Sequence, residues 1–230
     1  MASAQSIAEN IRRIREEIAA AAPGRQVRLV AATKMNGADA VRAAIAAGVD
    51  ACGENRVQEL QEKDAQGAYA GAPLHFIGHL QRNKVKYLVG RVDLIQSADS
   101  AALLELIHAR AKALGVVQDV LIEVSIAGEA QKSGVSPAAL PELLALAGTL
   151  DGLRVRGLMC VPPVAAFPGE NRPYFAAIRE LFVDNSGKKY DNVSMDFLSM
   201  GMTDDYRDAL AEGANMVRIG SGIFGARNYG

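Results

Sequence analysis

A lysine follows an apolar run near the start of the chain. The segment LVAATK covers residues 29–34, and its first five residues are apolar or small. Such a run is typical of a strand buried on both faces, so Lys34 either reaches solvent where the strand ends or has a chemical role there. Burial disfavours the charged form of a lysine and lowers its pKa. The neutral amine can then form a Schiff base with a carbonyl compound.

Two segments in the last part of the chain are rich in glycine and serine. They read LSMG at 198–201 and RIGSGIFG at 218–225. Glycine lets the backbone approach an anion closely, and backbone N–H groups and serine hydroxyls can bind phosphate oxygens. Together with the amine of Lys34, these segments predict a phosphorylated aldehyde as the ligand. Two classes fit that description: pyridoxal 5′-phosphate, or the sugar-phosphate substrate of an aldolase.

The elements that would position these residues alternate regularly along the chain. Strand-like segments begin near residues 27, 49, 74, 92, 119, 153, 193 and 215, and helical patterns separate them. This alternation is typical of α/β proteins with a parallel sheet. Eight units favour a closed (β/α)8 barrel of the TIM type over a doubly wound sheet, because ATKMNG after the first strand lacks the usual glycine fingerprint. We predict one domain over residues 1–230, with an amphipathic helix at about 3–22.

The predicted barrel brings the candidate residues to one place. Barrels of this type carry functional groups at the C-terminal ends of their strands and often bind phosphate after strands 7 and 8. Lys34 would end the first strand, and Asn55 would follow the second. Ser199 would end the seventh strand, and Arg218 would lie in the eighth, just before the second glycine-rich segment. The amine and the phosphate-binding segments would therefore face one another across the barrel mouth.

Each candidate residue also has a purely structural interpretation. Lys34 could extend into solvent, and Arg218 could form a salt bridge with Glu54. Asn55 could cap the helix that follows it. Ser199 and Ser221 could bond the neighbouring backbone. Their shared location at the predicted barrel mouth favours the functional interpretation.

Composition excludes several classes of function. The 230 residues carry a net charge of −1, so neither nucleic acid nor an anionic membrane is indicated as a partner. The three histidines lack zinc-type spacing, and we predict no metal site. Cys52 and Cys160 fit reduced, buried thiols. The chain has no run long and apolar enough to span a membrane. Its N-terminal helix carries glutamates among its arginines and does not fit a signal peptide. We therefore expect a cytoplasmic protein.

Several longer motifs resemble those of the pyridoxal phosphate homeostasis proteins, which are single-domain relatives of the alanine racemase N-terminal barrel. The resemblance covers about residues 5–226 and rests on VAATK, GENRVQE, HFIGHLQRNK, GLM, LSMGMTDDYRDAL and VRIGSGIFG. The chain departs from the usual family motifs at Thr203 and Ser221, where members commonly have serine and threonine. Both exchanges keep a hydroxyl, so the resemblance at the phosphate site holds.

The resemblance implies pyridoxal 5′-phosphate as the cofactor and a role for each candidate residue. Lys34 would form the Schiff base with the aldehyde. Asn55 would lie beside the cofactor ring, and Arg218 would approach the pyridine nitrogen. The phosphate end would be held by Ser199, Met200, Gly220, Ser221 and Gly222.

Two features favour holding the cofactor over using it. An acidic partner keeps the pyridine nitrogen protonated and makes the ring a strong electron sink, whereas arginine can only donate. The chain also ends about where the barrel would close. We therefore expect no second domain that could supply an acid or base to the opposite face of a substrate. No catalytic residue is predicted.

The interpretation that follows is a protein of intracellular pyridoxal 5′-phosphate homeostasis, which stores, buffers or delivers the cofactor. Apo forms of enzymes that depend on this cofactor are the expected partners, and a monomer or weak dimer is the expected assembly. The alternatives are a weakly active racemase or decarboxylase that uses the same cofactor, and a Schiff-base aldolase. Lys132, in the loop after the fifth strand, is a candidate second amine for the aldehyde.

Overall fold

Eight parallel strands close into a barrel in which each strand pairs with the next along the chain and the first pairs with the last. The computed structural model describes residues 2–127 and 133–225. In this part of the chain the strands are β1 Arg28–Ala32, β2 Ala51–Glu54, β3 Leu74–Phe76, β4 Leu94–Ala98, β5 Gln118–Glu123, β6 Leu153–Met159, β7 Val193–Ser199 and β8 Met216–Ile219. The predicted (β/α)8 barrel is confirmed.

Helices precede the first strand, occupy the connections between strands, and follow the last strand. They are α1 Ala4–Ala21, α2 Ala38–Ala46, α3 Val57–Asp64, α4 Ala101–Leu114, α5 Leu140–Ala147, α6 Arg172–Ser186, α7 Tyr206–Ala211 and α8 Ser221–Phe224, with a 3-10 helix at Arg82–Tyr87. Among the described residues, no helix is long and apolar enough to cross a membrane.

The N-terminal helix α1 covers the seam between the first and last units of the barrel. Ile7, Ile11, Ile14 and Ile18 are buried on one face, as their spacing of three and four residues requires for an amphipathic helix. This face packs against α2, α7 and α8. Ser3 caps the helix by accepting a hydrogen bond from the backbone N–H of Ser6.

The barrel interior changes from apolar to polar toward the C-terminal ends of the strands. Along four strands, an apolar residue of the interior is followed two residues later by a buried polar residue, which lies on the same face because side chains alternate along a strand. These pairs are Leu94 and Gln96, Leu121 and Glu123, Phe197 and Ser199, and Met216 and Arg218. An apolar floor therefore supports a polar layer beneath the barrel mouth.

Two predicted strands, over residues 27–34 and 119–127, end earlier than the sequence predicts. β1 ends at Ala32, so Lys34 lies in a turn and not in the strand. β5 ends at Glu123, because Val124 and Ser125 pair with Val135 of the returning chain. Each error adds irregular chain at the barrel mouth.

Shortening one buried side chain of α1 tests how much the packing of this helix contributes to stability. We expect Ile11→Ala to lower the free energy of unfolding by about 2–5 kcal/mol, because it leaves a cavity in a fully packed interface. Urea unfolding followed by circular dichroism measures the loss. Glu16→Ala, on the exposed face of the same helix, should stay within about 0.5 kcal/mol of the parent. Equal stability of the two variants would contradict the packing role of α1.

Candidate functional site

The turn that carries Lys34 is held by contacts on both sides of the lysine. The N–H of Thr33 donates to the carbonyl of Gly53 on β2 at 2.9 Å. The N–H of Met35 donates to a carboxylate oxygen of Glu59 on α3 at 2.6 Å. Met35 has φ +62° and is the one non-glycine residue with positive φ in the described chain, a conformation that costs energy for a residue with a Cβ. The half-buried Lys34 therefore stands in a turn whose shape is imposed by its neighbours.

Asn55 follows β2, the strand next to β1, and carries an unsatisfied acceptor. Its Oδ1 atom is buried and makes no hydrogen bond among the described residues. Asn55 lines a pocket of about 200 Å³ beside the barrel mouth. The alternative that it caps the next helix is wrong, because the N-cap of α3 is Arg56. A buried acceptor without a partner fits a ligand that brings a donor.

Gly78 allows the backbone of Asn55 to take this position. A Cβ at residue 78 would lie 2.2 Å from the carbonyl oxygen of Asn55, which no side chain tolerates. The glycine after β3 therefore serves close packing of two loops at the barrel mouth.

A chain of hydrogen bonds crosses the polar layer of the barrel from β8 to β3. Arg218 donates from Nη1 to Ser199 Oγ at 2.6 Å and from Nη2 to the carbonyl of Cys160 at 2.9 Å. Ser199 bonds Gln96 Oε1 at 2.7 Å, and Gln96 Nε2 bonds His75 Nδ1 at 2.9 Å. The alternative salt bridge between Arg218 and Glu54 is wrong, since the ion-pair partner of Glu54 is Lys63.

Arginine sets the direction of this chain. A guanidinium has donors only, so the hydroxyl of Ser199 accepts from Arg218 and points its own proton at Gln96. The amide of Gln96 then presents its NH₂ group to Nδ1 of His75, and the imidazole proton lies on Nε2. Burial lowers the pKa of His75 to about 4, so the ring is neutral at physiological pH. The bonds to Ser199 and to the carbonyl of Cys160 fix Arg218 in place.

Glu123 is a buried carboxyl group at the end of β5. Burial, and next the charge of Asp99, raise the pKa of Glu123, while Arg218 opposes the shift. Asp99 in turn lies 3.8 Å from Nδ1 of His79, measured from Oδ2. The barrel mouth therefore contains a carboxyl group, that of Glu123, which holds a proton more readily than an ordinary carboxylate.

The glycine-rich segment after β8 presents converging N–H donors. The N–H groups of Gly220 and Gly222 point at one oxygen, Thr203 Oγ1, at 3.4 and 3.2 Å. A Cβ at residue 222 would lie 2.9 Å from Cγ2 of Ile219, so glycine is needed there. Ser221 is exposed. Donors that converge on one oxygen are suited to an anion.

The structure distributes the predicted phosphate residues between two layers. Gly220, Ser221 and Gly222 lie at the surface of the mouth. Ser199 is fully buried and bonded within the polar layer, and Met200 is buried with its N–H donating to the carbonyl of Met216. Ser199 and Met200 therefore support the mouth from below in this arrangement, and their direct contact with phosphate stays a prediction.

Three residues of the site have no role in the sequence prediction: His75, Gln96 and Glu123. A polar residue two positions after an apolar one, in an otherwise buried strand, is the signal that could have found Gln96 and Glu123. The hydroxyl of Thr203, which precedes α7, accepts from the glycine segment, and the N-cap of α7 is Asp205. Lys132 lies outside the described residues.

Comparison with known proteins agrees with this architecture. The family model described as alanine racemase, N-terminal domain, matches residues 3–228. An alanine racemase of Streptomyces lavendulae shares the fold, with a TM-score of 0.70 at 18% identity over 97% of this chain and 58% of that one. The fold and the polar barrel mouth thus define a barrel of the alanine racemase N-terminal class.

More similar relatives narrow the class. A protein of Aquifex aeolicus named pyridoxal phosphate homeostasis protein is 44% identical to this chain over 88% of each. A protein of Pseudomonas aeruginosa with the same name is 40% identical over 98% of this chain and 97% of that one. PipY of Synechococcus elongatus, solved with PLP bound, has a TM-score of 0.84 at 33% identity over 95% of this chain and all of that one. The chain belongs to the alanine racemase N-terminal domain family and, within it, to the pyridoxal phosphate homeostasis proteins.

The neutral state of His75 predicts a specific sensitivity to acid. The pKa of His75 is about 4 in the folded protein and about 6.5 when unfolded, so the unfolded chain binds more protons between these values. Stability then falls as pH drops through this window. We expect His75→Gln, which keeps an acceptor for Gln96 but does not titrate, to remove about 2 kcal/mol of the loss between pH 7.5 and pH 5.

Urea unfolding at the two pH values measures this difference. His108→Gln is the control, because His108 lies on α4 away from the barrel interior. An equal loss of stability in the parent and in His75→Gln would show that His75 is not held neutral.

Proposed function

We propose that this protein binds pyridoxal 5′-phosphate at the barrel mouth, holds it as a Schiff base on Lys34, and stores, buffers or delivers it inside the cell. Support comes from the relatives named for this role, from the bound PLP of PipY, and from the residues themselves. When bound, this cofactor supplies an aldehyde that condenses with an amine and a ring that can withdraw electrons. Condensation joins Nζ of Lys34 to the aldehyde carbon and releases one water.

The residues at the mouth fit the parts of this cofactor. The N–H groups of Gly220 and Gly222 and the exposed hydroxyl of Ser221 would bind phosphate oxygens. The buried Oδ1 of Asn55 would accept a hydrogen bond from the ligand. Arg218 would face the pyridine nitrogen as a donor. Ser199 and Met200 would support the phosphate end from the adjacent strand.

The fixed guanidinium of Arg218 is the observation that favours holding over turnover. Two of its nitrogen atoms are bonded to Ser199 and to the carbonyl of Cys160, so the group cannot turn away from the site. Because arginine does not accept a proton, it does not keep the pyridine nitrogen protonated. The ring then stays a weak electron sink, and the protein acts as a carrier and not as an enzyme.

Glu123 favours a second candidate function. A buried carboxyl group with a raised pKa holds a proton more readily than an ordinary carboxylate and can act as a general acid or base. The second candidate is therefore a weak racemase or decarboxylase that uses the same cofactor, with Glu123 as the acid or base.

The carrier role implies partners and a compartment. We propose apo forms of pyridoxal phosphate-dependent enzymes as the recipients of the cofactor. We also propose that it acts in the cytoplasm, as a monomer or weak dimer.

The attachment to Lys34 is tested by the visible spectrum of the purified protein. We expect a yellow protein whose imine absorbance disappears on borohydride reduction and is absent in Lys34→Ala. Lys86→Ala, an exposed lysine of the 3-10 helix, should keep the absorbance. An unchanged band in Lys34→Ala would refute this attachment. A colourless protein that takes up no pyridoxal 5′-phosphate would refute the ligand and favour the aldolase.

Turnover separates the carrier from the weak enzyme. We expect the loaded protein to form no racemised or decarboxylated product from amino acids, because Arg218 leaves the ring a weak electron sink. Chiral chromatography after long incubation measures both products. Robust turnover that is lost in Glu123→Gln would contradict the carrier role and support the second candidate.

A further inference from the structure

A buried ion pair lies directly behind the turn that carries Lys34. Glu54, the last residue of β2, is fully buried, and its Oε1 atom lies 2.5 Å from Nζ of Lys63 on α3. The same oxygen accepts from the hydroxyls of Thr33 at 2.6 Å and Tyr69 at 3.1 Å. Three donors therefore meet at one carboxylate oxygen.

This cluster is outside the barrel interior. Side chains alternate along β2: Ala51 belongs to the inner apolar cluster and Cys52 to the outer one. Glu54, two residues after Cys52, lies on the outer face, between the strands and α3. Glu54 and Lys63 therefore do not share the ligand's side of the sheet, and any effect they have on the site acts through the chain.

The cluster holds the residue before Lys34 twice. Nζ of Lys63 donates to the carbonyl of Thr33 at 2.8 Å, and the hydroxyl of Thr33 donates to Glu54. The carbonyl and the side chain of Thr33 are thus bound by opposite members of one ion pair. This arrangement fixes both the position and the rotation of the peptide that leads into Lys34.

The residue after Lys34 is held from the same helix. Glu59, one turn before Lys63 on α3, accepts the N–H of Met35 and lies 3.4 Å from Nζ of Lys63. The left-handed conformation of Met35 is unfavourable for a residue with a Cβ. The carboxylate of Glu59 compensates for this by satisfying its N–H, and the peptide planes on both sides of Lys34 are anchored to α3.

Stability alone does not explain this arrangement. Burying two charges costs more than their attraction returns unless every atom is bonded, and apolar residues of similar size often replace such a pair without loss. Oε2 of Glu54 is buried without a hydrogen bond in the described chain. The pair is thus an unfavourable way to fill the layer behind β2. Apart from the bond with the Tyr69 hydroxyl, its hydrogen bonds lead to the Lys34 turn.

We propose that Glu54, Lys63 and Glu59 are positioning residues that orient the amine of Lys34 toward the barrel mouth. The proposal rests on the proposed role of Lys34 as the attachment site. It deepens that role, because the anchored turn presents the amine in one direction before the ligand arrives. Preorganisation of this kind accelerates covalent attachment.

The decisive experiment replaces the pair by apolar residues of similar size. The apo forms of the parent and of the double variant Glu54→Leu/Lys63→Met are mixed with pyridoxal 5′-phosphate, and imine absorbance is followed by stopped flow. We expect the double variant to form the imine at least tenfold more slowly, at a temperature at which circular dichroism shows both apo proteins to be folded. An unchanged rate in the double variant would overturn the proposal.

Two outcomes separate this proposal from the function on which it rests. If the parent protein forms no imine that depends on Lys34, the proposed function fails. If the parent forms it and the double variant does so at the same rate, only the positioning role fails.

Glu59 provides a rescue test on the same helix. Glu59→Ala removes the acceptor of the Met35 N–H and should slow imine formation several-fold. Glu59→Gln keeps a carbonyl oxygen for that N–H and should restore most of the rate. Glu62→Ala is the matched control, because Glu62 is exposed on the same helix and should match the parent. Equal rates in Glu59→Ala and Glu62→Ala would contradict the role of Glu59.

Discussion

The pairing of β1 with β8 is the constraint on which the site depends. Val30 lies beside Arg218 and Ala31 beside Ile219, while Ala32 lies beside Gly53 on the other flank. This register places the Lys34 turn between the glycine segment after β8 and the loop that carries Asn55. Residues that are far apart in the chain become neighbours only because the barrel closes with this register. A shift by one residue would reverse which side chains point inward.

Two kinds of support surround the site, and they differ in what they hold. Inside the barrel, neutral groups joined by directed hydrogen bonds fix Arg218 over an apolar floor. Behind the sheet, charged groups fix the backbone around Lys34. The interior chain begins at an arginine, which cannot reverse its hydrogen bonds, so its protons have one arrangement. At the mouth itself, a ligand that takes the N–H groups of Gly220 and Gly222 would have to displace the hydroxyl of Thr203.

The fold and the family could be predicted from the sequence, because repeated strand and helix patterns are local and the long motifs are specific. Lys34 and Arg218 could be placed at the mouth for the same reason. Gln96 and His75 could not be joined, since their contact depends on the register of neighbouring strands. The sequence did not indicate that Lys63 is buried. Its spacing along α3 is that of an ordinary helix-surface residue, and its burial depends on where the Thr33 carbonyl lies. Boundaries failed at Lys34 and Val124, where tertiary contacts end the strands earlier than the apolar pattern does.

The seam between the first and last strands has a further consequence. The amine belongs to the loop after β1, and the converging N–H donors belong to the segment after β8. A ligand attached to both would link the two sides of the junction between β1 and β8, where the first and last units of the barrel meet. Occupancy and closure of the barrel would then be thermodynamically linked, as for any ligand that binds only the folded form. Binding would favour the pairing of β1 with β8, and loss of that pairing would weaken binding.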